Sequence, residues 1–185
     1  MLIEKPLFPT MFYETQIPRD LCFAVIEEIK NKQEMIDIVS ESTQIQNINQ
    51  YSTDFKHPIH IERFWNDVVP MLQNDWKKFN KQMIDIFSWV SCYIGQEANH
   101  PLHNHYAGYG KKIHYSGILY LSDVGVTDFL SIDATAILSQ HQEHSQIGKV
   151  IYFPSIIPHY YRPDQLDGNT RYTLPFNFEL VPCEN

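Results

Sequence analysis

Beyond residue 83 the hydrophobic period of this chain shortens from that of a helix to that of a strand. Ile84, Ile86, Ser88, Val90, Cys92 and Ile94 alternate with Asp85, Phe87, Trp89, Ser91 and Tyr93. A period of two sends successive side chains to opposite faces of a sheet. Further strands are predicted over residues 113–122, 129–132, 149–153 and 171–181. In the last, Tyr172, Leu174, Phe176, Phe178 and Leu180 face one way, and Arg171, Thr173, Pro175 and Asn177 face the other. One face is therefore apolar enough for a core and the other is free to line something else. Pro175 cannot donate to a ladder, so a bulge or a sheet edge is expected there.

The residues before 84 read differently. A short apolar run from Leu7 to Tyr13 is predicted as one strand laid along the domain. Pro18 then marks a helix start, and Cys22, Val25, Ile26 and Ile29 recur at helical spacing, which predicts a helix over 19–31. Residues 32–60 are rich in Gln, Asn and Ser and read as mostly loop, with a weak helical signal at Met35 to Val39. Ile61, Phe64, Trp65, Val68, Leu72, Trp76 and Phe79 form one helical stripe, which Pro70 should kink or split. Helices first and many short strands after describe an α+β or helix-buttressed, mainly β chain. Its length suits one domain over 1–185, with residues 1–83 supporting a β core over 84–181. Eleven Tyr, eleven Phe and three Trp lean the same way.

Composition excludes some functions. A net charge of −8 argues against a basic nucleic-acid footprint. No stretch approaches the ~18 apolar residues of a membrane span, and no basic region followed by an apolar run opens the chain. Cys22, Cys92 and Cys183 are scattered and odd in number, so no disulfide framework is expected and a reducing cytoplasm is the simplest compartment.

The chemistry concentrates in His103, His105, His159 and Arg171. Histidines at i and i+2 on extended chain share a face, so both imidazoles reach one ion. His159, which closes the run Ile151 to Pro158, supplies a third nitrogen from a distant strand. Three neutral imidazoles suit Fe(II), Zn(II), Cu(II) or Ni(II). Three protein ligands on one face leave open positions, the mark of a catalytic site. Arg171 offers the fork geometry that grips a carboxylate in two places, and Thr173 lies on the same strand face. The other histidines read as bystanders. His100 reads as exposed or lying behind the ligands, and His114 as structural or part of the pocket wall. His141 and His144 fall in a polar loop, with a second metal there as the alternative, and His57 and His60 read as solvated or capping residues. The glycine-flanked segment Tyr106 to Lys112 reads as a loop at the pocket mouth.

These pieces, taken in order, resemble the prolyl 4-hydroxylase-like family of Fe(II)/2-oxoglutarate dioxygenases across residues 89–181. Cys92-Tyr93-Ile94-Gly95 followed by His103 resembles the family's tyrosine–glycine segment and its His-x-Asp motif. Gly117 to Val124 resembles its next strand, Gly148 to Pro154 with His159 its glycine turn, apolar strand and distal ligand, and Arg171-Tyr172-Thr173 its Arg-x-Ser motif. The resemblance implies a double-stranded β-helix (jelly roll) buttressed by N-terminal helices. It implies Fe(II) on His103, His105 and His159. It implies 2-oxoglutarate on Arg171 and Thr173, with hydroxyls from Tyr93 and Tyr120 nearby, and hydroxylation of a peptidyl or free amino-acid side chain. No catalytic residue beyond the metal centre is implied, and the partner is a small-molecule or protein substrate. The departure is at residue 105, where the family has Asp and this chain has His. Either His105 is a ligand, or a carboxylate such as Asp123 or Asp128 takes that place, or normal turnover is lost. Two rival readings keep the histidines without 2-oxoglutarate: a cupin-like three-histidine dioxygenase, and a non-catalytic metal-binding β-barrel.

Overall fold

Alternation along the strands at the centre of the larger sheet separates two cores, and that separation places the site. The computed structural model describes residues 2–7, 10–32, 50–52, 60–94, 100–105, 115–132, 137–162 and 170–183. The chain opens with β1 (Ile3–Leu7) and β2 (Thr10–Gln16), followed by α1 (Arg19–Asn31) and β3 (Gln50–Ser52). A π-helical turn (Phe64–Val68) leads into α2 (Val69–Lys77), then β4 (Lys81–Ser88), β5 (Ser91–Ile94) and β6 (His100–His103). The remainder is β7 (Tyr115–Tyr120), β8 (Val126–Ile132), β9 (Ile137–His144), β10 (Lys149–Pro154), β11 (His159–Arg162) and β12 (Thr170–Pro182).

Antiparallel pairing builds a major sheet in the order β1-β2-β10-β7-β12-β5-β3, with β4 also paired to β12, and a minor sheet in the order β6-β11-β8-β9. Leu119, Val150, Tyr152, Leu174, Phe176 and Phe178 face the helices and pack with Val25 and Ile29 of α1, Phe64 and Val68 of the π turn, and Leu72 and Trp76 of α2. Their neighbours along the same strands, Ile118, Tyr120, Ile151 and Phe153, face the minor sheet and meet Phe12 and Phe129. Each fully buried aromatic or aliphatic side chain contributes roughly 1.5–3 kcal/mol. The arrangement is the helix-buttressed, mainly β jelly roll expected from the sequence.

The helix over 19–31 forms as expected, entered at Pro18, with Asp20 in its first turn and Lys30 in its last, both favourable to the helix dipole. The stripe from Ile61 also forms. Its predicted break at Pro70 takes the form of a π turn, in which the Val69 N–H reaches back to Phe64 O. Pro70 falls in the first turn of α2, where a missing N–H costs least.

Other expectations are corrected. The single leading strand is a hairpin, β1 with β2, and β2 joins the major sheet through β10. Within the stretch read as loop, Gln50–Ser52 pairs with β5 as a strand; the signal at Met35 to Val39 lies outside the described residues. The continuous strand from Ile84 to Ile94 is two strands. An extra residue in β4 shifts its register against β12, with Asp85 at φ 50°. That bulge flips the alternation, so Met83 and Ile86 both serve the helix-side core. Pro175 sits in a central strand rather than at an edge or bulge. It pairs with Ile118 on one side and meets the break between β4 and β5 on the other, where its carbonyl accepts from Trp89 N–H at 3.1 Å. A missing N–H is harmless opposite a break in the ladder. The polar loop holding His141 and His144 is β9, paired along its length with β8.

Gly117 pairs with Phe176, whose ring lies across it, and a Cβ there would overlap that ring. Gly117→Ala is expected to destabilise the fold by about 1–3 kcal/mol, the usual cost of overpacking, read as a lower midpoint in urea unfolding at unchanged slope.

Candidate metal centre

His103 ends β6, His159 opens β11, and the two are direct partners in the minor sheet. His105 lies two residues beyond His103, held by a backbone hydrogen bond from its N–H to Ser155 O at 2.9 Å. The three rings converge: centroids are 4.3 Å apart for His103 and His159, and 5.0 Å for each other pair. One nitrogen from each lies within 4.8 Å of the others, and this is the cluster of three metal-ligating side chains found among the described residues. His103 Nε2 and His105 Nε2 are 3.1 Å apart. Metal–nitrogen bonds of about 2.1 Å meeting at a right angle hold two nitrogens roughly 3 Å apart. The donor set therefore fits a divalent transition metal.

The second ring nitrogens of His159 and His105 also have partners. His159 Nδ1–H donates to Ile157 O at 3.1 Å, since a carbonyl can only accept, and this leaves Nε2 for the centre. His105 Nδ1 lies 2.9 Å from both Ser116 Oγ and Asn177 Oδ1. Burial, reinforced by His103 beside it and only partly offset by Asn177, lowers the His105 pKa to about 4, so the ring is neutral at ordinary pH. Neither alternative carboxylate joins the cluster. Asp123 pairs with Arg19 at 2.8 Å and accepts from Ile147 N–H. Asp128 alternates with Thr127 and Phe129, which face inward, and accepts from Gln140 at 2.6 Å.

The same pocket holds Arg171 and Thr173, with Trp89, Tyr93, Ile118, Thr127, Tyr161 and Pro175 in its walls. Arg171 is 2% exposed. Its Nε donates to Ser145 Oγ at 3.2 Å and its Nη2 to Thr127 Oγ1 at 2.9 Å. Tyr161, Tyr93 and Tyr120 surround the guanidinium, with ring centroids 4.3, 5.1 and 5.5 Å away. Among the described residues its hydrogen-bond partners are hydroxyls, not carboxylates, so its charge is available to an anionic ligand. Gly125, at φ 94°, makes room for this stack: a Cβ there would lie 2.7 Å from both Arg171 Cδ and Tyr161 Cε2. Tyr93 lines the pocket, whereas Tyr120 stands behind Arg171 and donates to Thr127 Oγ1 at 3.0 Å. Burial raises the pKa of both phenols, more strongly than Arg171 lowers it, so both keep their protons.

Thr127, Ser145, Tyr161 and Asn177 belong to the site although residue patterns did not single out their roles. Asn177 shares the predicted inner face of its strand with Arg171, and Tyr161 follows His159 by two, so spacing carried a hint for both. Thr127 and Ser145 carried none. His141 is bonded to Glu143 at 3.0 Å, and no second metal cluster forms there among the described residues. His60 is exposed and stacks on Trp65. His57, His114 and the segment Tyr106 to Lys112 lie outside the described residues, as does the side chain of His100.

No family model matches the sequence, and no curated protein matches it. Solved structures do. A prolyl-4-hydroxylase from Pseudomonas putida is similar over 91% of this chain and 92% of its own, with a TM-score of 0.65 and 18% identity. A prolyl hydroxylase from Trichoplax adhaerens, solved with a peptide fragment of the hypoxia inducible factor oxygen degradation domain, is similar over 90% of this chain and 82% of its own, with a TM-score of 0.66 and 12% identity. The non-heme α-ketoglutarate-dependent carbocyclase SnoK from nogalamycin biosynthesis is similar over 93% and 81%, with a TM-score of 0.61 and 8% identity. No described helix is long and apolar enough to cross a membrane. The resemblance read from the motifs thus extends to three dimensions, and this chain has the fold of the prolyl hydroxylases and other 2-oxoglutarate/Fe(II) oxygenases.

Proposed function

We propose that this chain is one oxygenase domain, an Fe(II)/2-oxoglutarate-dependent dioxygenase that hydroxylates a peptidyl or free amino-acid side chain. The observation that carries the reading is the shared pocket: three convergent imidazoles at one end and a buried arginine, bonded only to hydroxyls among the described residues, at the other. His103, His105 and His159 would hold the metal. Fe(II), when bound, supplies the oxygen activation that turns 2-oxoglutarate, O2 and a C–H bond into succinate, CO2 and a hydroxyl. Arg171 grips the distal carboxylate of the cosubstrate, and Thr173 donates its hydroxyl on the same strand face. The tyrosine rings exclude water from the guanidinium, which strengthens its hold on an anion. Thr127 and Ser145 fix the guanidinium plane from behind. The peptide bound by the Trichoplax adhaerens enzyme supports a peptidyl substrate.

The test is anaerobic titration of Fe(II)-loaded protein with 2-oxoglutarate. A weak visible charge-transfer band is expected, followed by succinate on admission of air. Iron-loaded protein that gives neither band nor succinate refutes the proposal. A second reading is favoured by the donor set itself, which has no carboxylate: a three-histidine dioxygenase that needs no 2-oxoglutarate. Succinate formation also eliminates a non-catalytic metal-binding barrel.

A further inference from the structure

We propose that Asn177 is a positioning residue for the metal centre. Its carboxamide oxygen accepts the Nδ1 proton of His105 and thereby turns the unprotonated Nε2 toward His103 and His159. The proposal rests on the metal-centre reading above and is independent of 2-oxoglutarate. Asn177 is fully buried on β12, on the same face as Arg171 and Thr173. Its Oδ1 lies 2.9 Å from His105 Nδ1 and accepts from Ser116 Oγ at 2.6 Å. Ser116 in turn lies 3.0 Å from Ser155 Oγ, and the carbonyl of Ser155 accepts the His105 backbone N–H. Two separate strands, β7 and β12, therefore converge on the non-ligating nitrogen of one imidazole, while the turn after β10 holds the backbone of the same residue. Trp89 closes another side, edge-on at 5.4 Å.

A neutral imidazole carries a single proton, and the group bonded to one nitrogen decides which nitrogen keeps a lone pair. A carboxylate at position 105 would have needed no acceptor here, because all its donor sites are lone pairs. The acceptor presented to position 105, Asn177 Oδ1, suits the Nδ1–H of a histidine ligand. It also explains a local cost. Asn177 Nδ2 is buried with no hydrogen-bond partner among the described residues, a defect tolerated because the other end of the amide serves His105. His105 is on this view a built ligand and not the remnant of a lost carboxylate site.

Four measurements on the full chain test this, none requiring cosubstrate. Long-range 1H–15N correlation spectra of the metal-free protein are expected to show His105 as the Nδ1–H tautomer. Asn177→Ala is expected to weaken Co(II) binding roughly 10- to 100-fold, the usual effect of removing a partner of a ligating histidine. Asn177→Asp, which can accept but not donate, is expected to retain or improve wild-type affinity. In a His105→Asp background, Asn177→Ala is expected to leave Co(II) affinity unchanged. An Nε2–H tautomer, an Asn177→Asp loss as large as that of Asn177→Ala, or an equal loss in the His105→Asp background overturns the proposal. Failure of the 2-oxoglutarate reading would appear only in the cosubstrate titration, so the two failures are distinguishable.

Discussion

His159→Ala is expected to abolish succinate formation and to weaken divalent-metal binding by roughly 100-fold or more. A four-ligand structural zinc site is worth about 10–16 kcal/mol, or roughly 3 kcal/mol per ligand, and each 1.4 kcal/mol is tenfold. His159 is suited to the test because the minor sheet carries it. Its backbone pairs with His103 on one side and Phe129 on the other, so the strand survives truncation of the side chain. Its ring also packs against Phe153 and Phe129, so some loss of thermal stability accompanies the change. Competition with a chelating dye measures metal affinity separately from turnover. If His159→Ala binds metal as tightly as wild type, the three imidazoles do not form the centre.

The second large effect is expected at Arg171. Truncating one partner of a buried, hydrogen-bonded charge pair costs about 2–5 kcal/mol, so Arg171→Ala should weaken 2-oxoglutarate binding by at least ~30-fold while sparing Co(II) affinity. Arg171→Lys keeps the charge but loses the fork and the stacking against Tyr161, and is expected to fall between the two. Calorimetric titration of the metal-loaded protein with 2-oxoglutarate gives the comparison, and near-UV circular dichroism checks that the tyrosine cluster remains ordered. An Arg171→Ala protein with wild-type turnover would reject the cosubstrate role and leave the three-histidine reading without 2-oxoglutarate.

Much of the β architecture was legible because it follows from alternation. β12 shows this best: its two predicted faces are the helix-side core and the site wall. Where alternation fails, the sequence misleads. The bulge at Asp85 interrupts a run that reads as one strand, because an extra residue in a ladder is visible only against its partner. β9 was unreadable for a different reason. Its inward side chain Glu143 is polar and ion-paired with Lys149, so the strand has no apolar period to detect. β3 owes its existence to pairing with β5, in a stretch whose composition favours loop.

Residue order alone names the atoms available for chemistry. Imidazoles at i and i+2, a third one behind a proline-bounded turn and a forked cation on an alternating strand are local facts, written in spacing and residue type. What surrounds them follows from the folded arrangement. The hydroxyls of Thr127 and Ser145, the rings stacked on Arg171 and the carboxamide behind His105 come from strands far apart in the chain. Their positions depend on sheet register and on the facing of two sheets, and these are set by burial of the whole core rather than by any short segment.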